Sequence, residues 1–216
     1  MNRFKVSGLS FVFLTIIAVL ISGCATTALA PIGITMAVDS IAARNAPSKG
    51  KTYIIKSAMQ NISDKDLEFQ EVARYIENAL SSKKYIRTDS KENADILIYL
   101  GYRMSAPQKS YHTYTNSGAM AMPIGGIWFA KLPTTQTIEI TTFITTLILE
   151  AYDLKDPNGI LQLWKTTTKL GGCSADLRAV LPSMVAASSD YFGTNTGKQI
   201  SVTIQQDDPK LLNIRK

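Results

Sequence analysis

The spacing of hydrophobic positions changes several times along this chain, and each change predicts an element. Residues 11–21 are almost continuously apolar. Small residues follow to Pro31, and Asn45-Ala46-Pro47-Ser48-Lys49-Gly50 is rich in turn formers. Between them, residues 35–43 predict a short helix. Residues 52–56 (Thr-Tyr-Ile-Ile-Lys) are β-branched and aromatic and read as a strand. The period then shifts to that of a helix capped by Ser63, with Asp64 and Asp66 in its first turn. Phe69, Val72, Ala73, Ile76 and Leu80 form its apolar stripe, and Glu71, Arg74, Glu77 and Asn78 its opposite face. A short strand at 85–87 and a turn at Asp89-Ser90-Lys91 lead to residues 94–100. Their near-continuous apolar run suits a strand covered on both faces. Residues 137–152 and 160–170 predict two further strands. The turn Asp153-Leu154-Lys155-Asp156-Pro157-Asn158-Gly159 joins them as a hairpin. A second helix runs from Ser174 towards Tyr191, where Pro182 is expected to kink it or mark its true start. Gly193-Thr194-Asn195-Thr196-Gly197 ends it, and residues 199–205 alternate as a last strand.

This order predicts an α+β fold, a mostly antiparallel sheet with two main helices packed on one face. One core is expected, with Trp164 buried against Phe69, Val72 and Ile76.

The start of the chain changes the picture from fold to address. Arg3 and Lys5 precede the apolar run, and the small pair Ser22-Gly23 follows it, which is the pattern of a removable secretory signal. The uncharged stretch at 6–21 spans 16 residues, fewer than the ~20 a bilayer-spanning helix requires. Leu20-Ile21-Ser22-Gly23-Cys24 resembles the bacterial lipobox. That resemblance implies cleavage between Gly23 and Cys24, a diacylglyceryl group on the Cys24 thiol, and acylation of the new amine. Two or three acyl chains suffice for stable anchoring, whereas one chain binds only marginally. Ala25, in place of an Asp, resembles lipoproteins sorted to the outer membrane where the host has two membranes. The expected organisation is a signal peptide at 1–23, a lipidated tether at 24–50, an α+β envelope domain at 51–206 and a tail at 207–216.

The mature chain has 193 residues, enough for a sizeable core without staples. It carries 21 basic against 17 acidic residues, a net of +4, scattered without the dense stripe of a nucleic-acid footprint. With Cys24 lipidated, Cys173 is the one remaining thiol, and no intramolecular disulfide forms. A packed, inert Cys173 is expected, since free cysteines are usually buried.

Several stretches resemble a large group of uncharacterised bacterial lipoproteins that share one α+β domain of unknown function. They are Thr52-Tyr53, Leu80-Ser81-Ser82-Lys83-Lys84-Tyr85, Ala94-Asp95-Ile96-Leu97-Ile98-Tyr99, and Ala151-Tyr152-Asp153 leading to Leu163-Trp164. The resemblance implies an envelope lipoprotein and brings no catalytic residues with it.

The residues offer little chemistry. His112 is the only histidine and sits in a polar segment, and no Gly-x-Ser-x-Gly elbow is present. One His and one Cys make no metal-ligand spacing, and Gly125-Gly126 and Gly171-Gly172 lack a phosphate-cradle pattern. No enzyme activity, cofactor or metal is therefore expected. Residues 106–136 differ from the rest of the chain. They carry Tyr111, Tyr114, Met120, Met122, Trp128 and Phe129, with only Lys109 and Lys131 as charges. Two readings stand for this long connection: an excursion covering the sheet, or a partner contact through Tyr111, Tyr114, Trp128 and Phe129. The leading functional expectation is a non-catalytic, lipid-anchored module binding another envelope protein or a wall component. The alternatives are an envelope-acting hydrolase using a carboxylate pair and a self-associating structural lipoprotein.

Overall fold

The computed structural model describes residues 33–47, 50–116, 122–124, 127–129, 134–157 and 161–216. The signal segment, Gly23 and Cys24 lie outside these. In chain order the elements are β1 (Gly33–Ala42), β2 (Thr52–Ser57), α1 (Leu67–Ser82), β3 (Ile86–Arg87), β4 (Ile96–Met104), β5 (Gln108–Asn116), β6 (Met122–Ile124), β7 (Ile127–Phe129), β8 (Thr134–Asp153), β9 (Leu161–Gly172), α2 (Leu177–Ser188), β10 (Ile200–Gln205) and α3 (Pro209–Ile214). The fold is α+β with a mostly antiparallel sheet ordered β10-β1-β9-β8-β4-β2-β3, and β5 also pairs with β8. The sheet is mixed, because β2 runs parallel to both β3 and β4. The chain enters β3 from β2 through α1, the crossover that parallel neighbours require.

The apolar stripe of α1 is buried as the spacing predicts, joined by Tyr75 and Ala79. Each such large side chain contributes about 1.5–3 kcal/mol by leaving water. The cap differs from expectation: Ser63 stands in the preceding turn, where its N–H donates to Asp66 Oδ2 at 2.8 Å, and Asp66 is the N-cap. In α2 the Asp176 carboxylate accepts from the N–H groups of Arg178 and Ala179, a side-chain N-cap. The helix continues through Pro182 and buries every residue from 180 to 188. β4 covers both faces as predicted. Ile96, Ile98 and Leu100 enter the main core, while Leu97 joins a smaller cluster with Ile54 and Ala94. Trp164 is 1% exposed. Its shown ring partner is Phe192, stacked at 5.8 Å and 10°.

Two boundaries are corrected. Residues 35–43 do not form a helix in a tether. Most of this stretch lies in β1, hydrogen-bonded between β9 and β10, with Met36 and Val38 in the core. The sheet therefore begins at Gly33 rather than at residue 51. Ser40 is fully buried there because its hydroxyl lies 2.9 Å from Tyr191 O, 3.0 Å from Thr194 O and 2.8 Å from Thr166 Oγ1. The segment read as a tail holds α3, whose Leu211 and Ile214 are buried. Asn78 Nδ2 donates to Ile214 O at 3.0 Å, tying α3 to α1.

Candidate functional site

β8 is 20 residues long and plays two roles. Its C-terminal half is an interior strand, with residues 145–153 paired to β4 and 143–153 paired to β9. Its N-terminal half, residues 134–142, pairs only with β5 among the described residues. Where the two halves meet, Ser105 N–H donates to Ile144 O and Ile144 N–H donates to Ser105 Oγ, each at 2.9 Å. Beyond that joint the sheet narrows to a two-stranded ribbon. Nine residues per strand give it a length of about 30 Å. All of β5 is exposed, as are residues 134–139 of β8.

The covering reading is thereby corrected for β5 and for residues 134–136 of β8, which are exposed rather than folded back on the core. Side-chain pairs across the ribbon hold its register. Thr113 and Thr137 hydroxyls meet at 3.1 Å, and Lys109 Nζ reaches Glu139 Oε1 at 2.7 Å. Alternation splits the predicted contact residues. Tyr111 (66% exposed) shares one face with Lys109, Thr113 and Glu139. Tyr114 (52% exposed) shares the other with His112, Ile138 and Ile140. The two tyrosines therefore belong to two faces rather than one patch. The backbone of Trp128 and Phe129 lies in β7, paired with Pro123 and Met122 of β6. Their side chains are outside the described set. His112 is an exposed strand residue whose Nε2 lies 3.5 Å from Ser110 Oγ, and among the described residues no acid hydrogen-bonds to it.

A second concave feature, a groove of about 710 Å³, lies between α1 and the β2–β3 edge. Its walls hold Lys56, Arg74, Arg87 and Arg178 against Asp64, Glu71, Glu77 and Asp89. Arg87 pairs with Glu77, and its Nε is 3.7 Å from Asp89. Arg178 Nε is 2.9 Å from Glu71, which also accepts from the Tyr75 hydroxyl at 2.7 Å. Those bonds from Tyr75 and Arg178 hold Glu71 below its ordinary pKa, while burial pushes Glu77 up despite Arg87. Each of the groove's acids faces a cation, so the walls neutralise themselves. The polar face of α1 gave half of this groove in the sequence. Arg178 was not foreseen, because it reaches Glu71 across 107 residues of chain.

Cys173 is exposed, contrary to the packed thiol expected. It follows the last residue of β9 and precedes the turn that caps α2, so no layer covers it. Among the described residues, no group of three or more His, Cys, Asp or Glu side chains is placed to hold a metal ion. No described helix is long and apolar enough to cross a membrane.

No protein-family model matches the chain, and no curated protein matches it. Among solved structures it is similar to a PDZ domain protein from Parabacteroides distasonis ATCC 8503, at 15% identity and TM-score 0.44. That likeness covers 81% of this chain and 40% of the other. It is also similar to a DUF4136 family protein from Bacteroides thetaiotaomicron VPI-5482, at 14% identity and TM-score 0.39, covering 72% and 93% of the two chains. A PelC dodecamer from Paraburkholderia phytofirmans is similar at 9% identity and TM-score 0.37, covering 72% and 96%. All three fall below a TM-score of 0.5, so the functional reading rests on this chain's own residues.

Proposed function

We propose that this chain is a lipid-anchored bacterial envelope protein that acts as a non-catalytic binding or assembly module. Cys24 supplies the membrane attachment, and another envelope protein or a wall component supplies the partner. In a host with two membranes its place is the outer membrane, facing the periplasm. The observation that carries the binding reading is the β5–β8 ribbon, exposed on both faces along β5 and residues 134–139 of β8. Two strands without a covered face are marginal in water, and contact with a partner supplies what the chain itself does not. The reading places both longer helices on one face of the sheet, leaving the ribbon unobstructed. Support for that layering is the single buried cluster shared by α1, α2 and the strands.

The test is a cross-linking pull-down from intact envelopes. Wild type is compared with a variant carrying Tyr111→Ser, Tyr114→Ser, Trp128→Ser and Phe129→Ser. The expected result is an unchanged melting temperature and loss of one dominant foreign partner. An unchanged cross-linking pattern on an intact fold removes the reading.

A further inference from the structure

The ribbon has two free edges as well as two free faces. Among the described residues, β5 has no strand on its side away from β8, and residues 134–142 of β8 have none on their side away from β5. Each edge runs nine residues, and every other one points its backbone N–H and C=O outward with no strand partner among the described residues, the feature that templates pairing with another chain. Soluble proteins ordinarily blunt such edges with charges, proline, bulges or short strands. Here Pro107 and Pro133 fall outside the strands, and the ribbon register shows no bulge. Threonine, tyrosine and isoleucine, all strong strand formers, make up 11 of the 18 residues in the two ribbon strands.

From this geometry we infer that the ribbon edges join copies of this chain head to tail, β5 of one copy pairing antiparallel with residues 134–142 of the next. This goes beyond the proposed function and does not depend on it, because edge pairing leaves both faces open for a foreign partner. Charge selects the arrangement. Lys109 and Glu139 are the only Lys, Arg, Asp or Glu residues in the two ribbon strands. A β5–β5 joint brings together only lysines, and a β8–β8 joint only glutamates. The β5–β8 joint alone brings one of each, on the same face and in the register already used within the chain, where the pair closes at 2.7 Å. Lys109 and Glu139 cancel within the ribbon, so the joint itself adds no charge repulsion. A head-to-tail joint also repeats, since every added copy offers a fresh β5 edge and a fresh β8 edge.

The test uses the full lipidated chain with Cys173→Ser, which removes the one exposed thiol. One preparation carries Thr113→Cys, a second Thr137→Cys, and a control carries Lys91→Cys on an exposed turn of the same chain. Within one copy the Thr113 and Thr137 hydroxyls are 3.1 Å apart, so the same register between copies brings the two thiols together. Each preparation alone lacks an internal partner. After mixing and mild oxidation, mixed 113–137 disulfide dimers should exceed either homodimer, and the control, several-fold. A second variant pair avoids disulfides. Lys109→Glu and Glu139→Lys should each weaken association in sedimentation, and mixing the two should restore it, because the joint between them regains opposite charges. Exposed ion pairs set that change at about 1.4- to 5-fold per contact. Disulfide dimers no more frequent than the control, homodimers equal to mixed dimers, or no recovery on mixing the charge variants overturns the inference. Loss of the foreign partner in the serine variant bears on the faces alone and leaves these outcomes unchanged.

Discussion

Trp164 offers the sharpest test of the core. The side chain is 1% exposed and stacks on Phe192 at a centroid distance of 5.8 Å. Replacing it with alanine removes the largest fully buried side chain among the described residues and leaves a cavity against Phe192. Large-to-small changes of this kind cost about 3–5 kcal/mol. The stacked pair places the expectation in the upper half of that range, since such pairs contribute about 0.5–1.5 kcal/mol beyond their area. For a domain of this size each kcal/mol moves the melting temperature by about 2–4 °C, so a fall of roughly 8–20 °C is expected. Trp164→Phe separates ring from N–H. The indole Nε1 is buried without a hydrogen bond of normal geometry, so losing it breaks none and the phenyl keeps part of the stack. That variant should cost about 1–2 kcal/mol. A double-mutant cycle with Phe192→Ala should return a coupling of about 0.5–1.5 kcal/mol. The assay is urea denaturation followed by far-ultraviolet circular dichroism, because Trp164 is one of only two tryptophans available as fluorescent reporters. A Trp164→Ala shift worth less than about 1 kcal/mol would falsify the packing described here.

Three further outcomes are expected. Ser40→Ala should cost about 1–3 kcal/mol in the same urea assay, because it takes a shared partner from the buried Thr166 hydroxyl and from the half-buried Tyr191 and Thr194 carbonyls. Asp95 is held down at about 2 by its bond to Lys155 and by the Thr52 N–H. A depressed carboxylate stabilises the fold above its unfolded value of 3.8 and loses that contribution as pH falls towards 2. Asp95→Asn should therefore flatten the acid limb of stability between about pH 5 and 2, and an unchanged acid limb in circular dichroism titrations counts against the clamp. Mass spectrometry of the mature amino terminus should find an acylated Cys24, and Cys24→Ser should leave the precursor unlipidated; a mature terminus starting elsewhere without acyl chains removes the anchor.

Elements that carry a pattern of their own, a helical stripe, a continuous apolar run or a turn signal between strands, were legible before the structure. α1 announces itself through a stripe at helical spacing, β4 through a continuous apolar run, and the β8–β9 hairpin through the proline and glycine between its strands. β1 was misread because its period is broken at Ser40, a buried polar residue that makes sense only once Thr166, Tyr191 and Thr194 arrive from far along the chain. α3 was missed for a related reason. A six-residue helix with only two buried residues carries little periodicity of its own, and it is tied to α1. The ribbon was half legible. Residues 137–142 of β8 read as strand from the start. Residues 106–136 stood out by composition alone, because β5 is exposed on both faces and has no apolar side to alternate, so nothing in its pattern separated it from a long loop. The groove required Arg178 to meet Glu71, a pairing that periodicity does not encode.

The division of β8 has a dynamic consequence that separates stability from association. Residues 145–153 are clasped between β4 and β9, and Leu147, Leu149 and Ala151 are fully buried, so their amides open only with the whole fold. Residues 134–142 have one neighbouring strand and rely on exposed contacts such as Thr113–Thr137 and Lys109–Glu139, each worth a fraction of the core's contribution. In dilute protein their amides should exchange by local opening, far faster than those a few residues onward in the same strand. Ribbon pairing between copies satisfies the free edges and cannot reach the core half. Raising the protein concentration should thus slow exchange across residues 108–116 and 134–142 while leaving 145–153 unchanged. A uniform change along β8 contradicts the two-part strand, and no change at any concentration contradicts the joint between copies.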